Sequence, residues 1–250
     1  MDIKPDQVVD QRPIDAHLPG LVEERHHLTG RDSQLQAVRR IDWRFLLPNP
    51  NLRQVAYFGP NGGTLLKALK AFSDSLYVIS LPDLRVFEKN SQPRFNLVVL
   101  SSSQLSDLEG AQSLLNAGGY LYWEIDRTRT LRSWRNRIKR EGWAFFRGNP
   151  IGKEGLMVLH YRHYVKSLER LGFEGIQVNW HRPNFEACLE MIPLDDPLVL
   201  NYVFARGSGK LSDKIKLGIG RFLMKVDLLG CLVPCLSIMA RRPATESEVR

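Results

Sequence analysis

Hydrophobic and polar positions divide most of the chain into short apolar runs, each followed by a stretch with helical spacing. Val55 to Phe58 is a short apolar run that ends at Gly59-Pro60-Asn61-Gly62-Gly63. Thr64 to Phe72 then carries a helical pattern. Ser75 to Ser80 and Phe95 to Leu100 read as further buried strands, and Leu105, Leu108, Ala111, Leu114 and Leu115 mark one side of a helix over 104–116. Ala117-Gly118-Gly119 is expected to end that helix, and Tyr120 to Ile125 is the next strand. Beyond it come a basic helical stretch from Arg127 to Arg140, a helix over 160–171 and a strand from Phe173 to Trp180. A short strand around Cys188 to Ile192, a helix over 197–206, an amphipathic helix over 214–229 and a strand from Cys235 to Arg241 complete the pattern. Strands alternating with helices at this spacing predict an α/β fold, a mostly parallel twisted sheet covered by helices on both faces.

Composition narrows this picture only modestly. The chain has 250 residues, 43% hydrophobic and 25% charged, which suits one α/β domain. We expect an N-terminal arm and short helix over 1–40, a domain over 41–243 with an insertion at about 181–215, and a loose tail over 244–250. Three cysteines without metal-like spacing, a polar opening segment and no apolar run long enough for a bilayer predict a cytoplasmic protein. The formal charge of +8 is spread along the chain, so it reads as a basic surface.

Basic stretches add two candidate surfaces. Arg127 to Arg140, interleaved with Trp134, could hold RNA phosphates, but a solvated helix explains it better. The amphipathic stretch over 214–229 suits peripheral contact with an anionic membrane, or simply packing before a last core strand. Nucleic acid is therefore the less favoured partner.

The chemistry-bearing residues gather where strands end. In an open α/β sheet, ligands bind beyond the carboxyl ends of the strands. That places Gly59 to Gly63, Ser80, Asp83, Ser101, Ser102, Ser103, Glu124 and Asp126 around one crevice. A strand, glycine loop and helix also bring backbone N–H groups and the positive end of a helix to a ligand. His160, His163 and His181 are candidate bases, His181 first because it follows a strand end in WHRPNFE.

Four pieces carry a resemblance: the loop YFGPNGG, the strand and loop FNLVVLSSSQL, the turn and strand LLNAGGYLYWEI, and the late strands in ERLGFEGIQVNW and CLSIMARRP. Together they resemble the class I methyltransferases that use S-adenosylmethionine, over roughly residues 50–180 and 230–243. The resemblance implies a Rossmann-like sheet whose last strand is antiparallel. It implies S-adenosylmethionine as cofactor, with Tyr57, Gly59, Asn61 and Gly63 at its methionine end and Ser80 or Asp83 at its ribose. Ser101 and Ser102 would line the cleft, with His181 and Glu124 as catalytic groups. The implied activity is methyl transfer to a small-molecule or glycan-type acceptor in biosynthesis. Departures from the family pattern are also visible. Tyr57 stands where the family has a carboxylate, Asn61 replaces the middle glycine, and Ser80 replaces a ribose-binding carboxylate. The 81–94 connection is short, which suggests a trimmed sheet. These departures keep open a non-catalytic methyltransferase-like scaffold, and a module for RNA or membrane surfaces stands as a further alternative.

Overall fold

The computed structural model describes residues 31–79, 94–102, 104–141, 160–206, 211–226 and 228–244. Expectations for the 1–30 arm with His26-His27, for Ser80, Asp83 and Ser103, for the loop at 148–155 and for the tail beyond 244 lie outside these residues.

Helix α1 (Arg31–Arg40) and a 3-10 turn (Asp42–Leu46) lead into β1 (Leu52–Phe58), the glycine loop and α2 (Thr64–Phe72). Then follow β2 (Ser73–Val78), β3 (Phe95–Ser101), α3 (Asp107–Leu114), β4 (Leu115–Asp126), α4 (Thr128–Glu141) and α5 (Tyr161–Arg170). The chain continues through β5 (Glu174–Arg182), β6 (Glu190–Pro193), α6 (Pro197–Ala205), α7 (Leu211–Lys225), the short α8 (Leu229–Leu232) and β7 (Cys235–Arg241). The seven strands form one sheet in the order β2-β1-β3-β4-β7-β5-β6. The first four run parallel, β7 is antiparallel to β4 and β5, and β6 is antiparallel to β5. The expected mostly parallel sheet with an antiparallel last strand is therefore present.

Both faces of the sheet are covered, which is why its central strands read as continuous apolar runs rather than alternating ones. On β4, Leu121, Trp123 and Ile125 join a core with Leu108, Ala111 and Leu114 of α3, Tyr164 and Leu168 of α5 and Leu200 of α6. Tyr122 points to the other face, where Val55, Tyr57 and Val99 pack with Ala37 of α1 and Leu65, Leu66 and Leu69 of α2. Trp43, in the turn after α1, stacks on Tyr122 at 3.8 Å between ring centroids and 10° between planes. That stack pins α1 against the sheet.

The structure shifts several of the expected boundaries. The helix that was expected to run to Ala117-Gly118-Gly119 stops at Leu114, and β4 begins at once. Gly118 has a φ of +74°, and a Cβ at Gly119 would come within 3.1 Å of the Phe95 carbonyl. The pair therefore forms an irregularity inside the strand, where the register against β3 slips between Phe95 and Leu97. β2 begins two residues earlier than its apolar run, at Ser73, directly after α2. β5 extends past Trp180 and takes His181 into the strand.

Candidate active site

A cleft of about 890 Å³ opens at the carboxyl ends of β1, β3 and β4. Gly59 and Pro60 from the glycine loop, Ser101 and Ser102 after β3, and Glu124 and Asp126 at the end of β4 line it. Its far wall is the segment between β5 and β6, which contributes Asn184, Phe185 and Glu186. A cleft of this size is in the range that holds cofactors and small substrates.

A buried ion pair forms part of its wall. Glu124 is 2% exposed, and its two oxygens accept from Arg40 Nη1 at 2.5 Å and Nη2 at 2.6 Å. The Tyr122 hydroxyl donates to the same carboxylate at 3.1 Å. Burial opposes the Arg40 charge, but the carboxylate beside it outweighs burial and holds its pKa above the ordinary value. Burial also raises the Tyr122 hydroxyl well above its usual range, with Glu124 adding to the effect. The Arg40 Nε is buried without a hydrogen-bond partner, 3.7 Å from Glu186 Oε1. Glu186 in turn accepts from the hydroxyl of Thr64, the first residue of α2, and Phe185 lies under the Arg40 guanidinium at 5.4 Å. The loop between β5 and β6 is thus tied across the cleft to both α1 and α2.

Three of the predicted cofactor-binding residues meet at this cleft: Gly59, Ser101 and Ser102. Ser102 is held in place by its carbonyl, which accepts from the buried Trp123 indole at 2.5 Å, and by its hydroxyl, which accepts from Gln104 N–H at 3.1 Å. Asn61 and Gly63 are exposed and do not line the cleft. Gly62 and Gly63 have φ of +102° and +91°, backbone that side-chain-bearing residues rarely adopt. Tyr57 is 1% exposed beneath the loop, where its hydroxyl donates to the Pro60 carbonyl at 3.3 Å. Burial first, and the Glu124 charge second, push its pKa up to about 12. A Cβ placed on Gly59 would lie 2.4 Å from the Tyr57 hydroxyl and 2.9 Å from the Ser101 Cβ. The room that glycine provides at position 59 is therefore taken by a side chain of the protein itself.

The two predicted catalytic residues stand differently. Glu124 lines the cleft but is fully engaged by Arg40 and Tyr122. His181 lies in β5, is 3% exposed and does not line the cleft. Its Nε2 shares a hydrogen bond with Ser237 at 2.7 Å, and Nδ1 is 3.4 Å from Cys188 Sγ. Burial, with a smaller push from the Arg40 charge, lowers its pKa to about 3, so the imidazole is neutral and a weak base. The other candidate bases have local roles. His160 caps α5, its Nδ1 accepting from Arg162 N–H at 3.1 Å, and the His163 ring lies edge-on to Tyr164 at 6.0 Å between centroids, with neither lining the cleft. Asp126, exposed at the cleft, accepts from Thr128 N–H at 2.8 Å with one oxygen and keeps the other for solvent or ligand.

The neutral His181 has a consequence for acid stability. The unfolded imidazole binds a proton near its ordinary value of 6.5 and the folded one only near 3. The unfolded state therefore holds more protons between those values. Stability attributable to His181 is complete above about pH 6.5 and falls by up to about 1.4 kcal/mol per pH unit below it. In urea titrations the stability gap between wild type and His181→Gln is expected to narrow from pH 7 to pH 4. A gap that stays constant over this range refutes the neutral assignment.

Several residues of the site were not among those expected from the sequence. Arg40 and Trp43 come from α1 and its following turn, where no local motif marks them, and Phe185 and Glu186 lie in the expected insertion at about 181–215 without having been singled out there. Arg127, expected in a solvated basic helix, is buried and donates to the carbonyls of Gly230 and Val233. Burial lowers its pKa to about 10.

The fold is a Rossmann-like α/β fold with a mostly parallel sheet and an antiparallel last strand, and its cleft opens at the expected sheet edge. No family model matches the chain, and no curated protein matches it. Among solved structures, it is similar to a SAM-dependent methyltransferase of Thermotoga maritima, at 13% identity and a TM-score of 0.39 over 84% of this chain and 90% of the other. It is also similar to the N-methyltransferase NodS of Bradyrhizobium japonicum, at 12% identity and a TM-score of 0.35 over 86% and 99%. A phosphoethanolamine N-methyltransferase of Haemonchus contortus solved with S-adenosyl-L-methionine has 15% identity and a TM-score of 0.38, over 86% of this chain and 53% of that one.

Whether the cleft suits S-adenosylmethionine can be judged from its charges and shape. An amino-acid end needs donors for its carboxylate and an acceptor for its ammonium group. The N-terminal N–H groups of α2 suit the first and the open oxygen of Asp126 the second, while the Arg40 guanidinium on the cleft wall is already paired with Glu124. The volume is also sufficient, so the residues present fit the group.

Proposed function

We propose that the protein is a methyltransferase that uses S-adenosylmethionine and acts on a small-molecule or glycan-type acceptor. The observation that carries this reading is the cleft at the ends of β1, β3 and β4, lined by the ion-paired Arg40 and by an Asp126 carboxylate with one oxygen free. When bound, the cofactor supplies an electrophilic methyl group. Gly59 and the N-terminal N–H groups of α2 receive its amino-acid end, and Arg40 faces the carboxylate. Asn61 and Gly63 shape the loop, and Tyr57 supports it from below. Ser80 or Asp83 holds the ribose, and Ser101 and Ser102 line the wall beside it. Glu124 fixes the Arg40 guanidinium. Asp126, rather than the buried His181, takes the acceptor's proton, because it is the carboxylate with a free oxygen at the cleft. Holding the acceptor beside the donor methyl is the remaining contribution of the protein.

A second reading, a non-catalytic ligand-binding scaffold, is favoured by one observation: the Tyr57 side chain fills the room that glycine leaves at position 59. Calorimetric titration with S-adenosylmethionine and S-adenosylhomocysteine separates the two. Binding of both, weakened at least about tenfold by Arg40→Lys, is the expected result, since lysine cannot reproduce the two-pronged hold on Glu124. No heat and no thermal shift at about millimolar ligand would eliminate the enzyme reading. Binding that persists with no methyl transfer to any acceptor tested favours the scaffold.

A further inference from the structure

Most of the exposed large apolar side chains among the described residues lie between Leu198 and Leu232, in α6, α7, α8 and the turn between the last two. Leu198 is 80% exposed and Tyr202 66%, both on the outer side of α6. On α7, Ile219 and Phe222 are exposed, Phe222 by 61%, and Val226 follows just past the helix end. Core packing does not account for these positions. The inner side of α7 is used separately: Gly220 is buried against the Phe204 ring, and Leu223 and Met224 pack on the core. A helix that only covers a core is expected to be polar on its outer side.

The outer side of α7 has a second property. Ile219, Phe222 and Val226 are spaced as one stripe along this side, and Arg221 and Lys225 as a second stripe beside it. α7 holds four basic residues and one acidic residue, Asp213. Arg221 and Lys225 are exposed, with Arg221 Nε donating to Asn201 Oδ1 at 3.3 Å. An apolar stripe with an aromatic member, Phe222, beside a basic one is the pattern of a helix lying in a membrane interface. A second copy on this face would set like charges against each other. RNA would leave the apolar stripe in water. Among the described residues no helix is long and apolar enough to cross a membrane, so the contact is with the surface.

We propose that the outer face of α6 and α7 seats the protein on an anionic lipid surface, through Tyr202, Ile219 and Phe222 in the interface and Arg221 and Lys225 on the headgroups. This does not depend on the methyl-transfer reading. The test is flotation of the full chain with phosphatidylcholine vesicles, with and without phosphatidylglycerol. Binding is expected to the mixed vesicles only, and to fall as salt rises. Ile219→Glu with Phe222→Glu should abolish it, while Lys225→Gln should weaken it about fivefold. Because these side chains are exposed, circular dichroism and melting temperature should not change. Failure to bind mixed vesicles overturns the proposal, as does undiminished binding by the double variant. A concentration-dependent dimer in sedimentation velocity that the double variant abolishes also overturns it, since the face then belongs to a second copy.

Discussion

Replacing Arg40 with methionine is expected to cost about 3–5 kcal/mol of folding stability. The substitution leaves the Glu124 carboxylate 2% exposed, with only the Tyr122 hydroxyl at 3.1 Å as a partner. An uncompensated buried charge carries nearly its whole desolvation penalty, which a single neutral hydrogen bond does not offset. Glu124→Leu inverts the problem and leaves a buried guanidinium with only the exposed Glu186 carboxylate, 3.7 Å away, with a loss of similar size. The informative variant is the double one. Arg40→Met with Glu124→Leu removes both charges and fills their volume, so it should recover most of the loss. Urea titrations followed by tryptophan fluorescence give the four corners of this cycle, with unchanged m-values confirming that the unfolding reaction is the same. A single-variant loss below about 1 kcal/mol would mean that water reaches the pair and that the cleft is wetter than its geometry implies.

Trp43→Ala is expected to cost about 3–5 kcal/mol as well, by a different route. Trp43 is 1% exposed and stacks on Tyr122, whose hydroxyl donates to Glu124. Removing the indole opens a cavity between the turn after α1 and the sheet, and weakens the seat from which Arg40 reaches the cleft. The indole Nε1 has no hydrogen-bond partner, so its role is packing. Trp43→Phe keeps most of the stack and should cost about 1–2 kcal/mol. The same titrations measure both. Equal losses for Phe and Ala would show that a contact other than the ring stack holds this corner. Ligand binding should follow the same ranking, because the cation moves with α1.

Much of the fold was legible from local pattern. α2 spans Thr64–Phe72 and β7 spans Cys235–Arg241, as their periodicity predicts, because each boundary is set by glycine, proline or a change of period within a few residues. Boundaries failed where a tertiary contact outweighed local preference. At Gly118-Gly119 the helix expected from the leucine spacing gives way early, because β4 pairs with β3 from Leu115 onward. Of the positions expected around one crevice, Gly59, Pro60, Ser101, Ser102, Glu124 and Asp126 line the cleft, because strand ends in such a sheet share one edge.

The sequence by itself determined the alternation of strands and helices, the glycine loop after β1 and the edge of the sheet at which a cleft should open. All of these depend on interactions within a few residues, or on one hydrophobic face per element. Only the tertiary structure decided the charges in that cleft. Arg40 and Glu124 are 84 residues apart, and nothing in the spacing of either predicts that they pair. His181 and Ser237 are 56 residues apart on neighbouring strands, and their contact makes a candidate base into a buried neutral imidazole. A residue's type states which proton or charge it can carry. Its burial and its partners, set by the register of distant strands, decide whether it carries them in the folded protein.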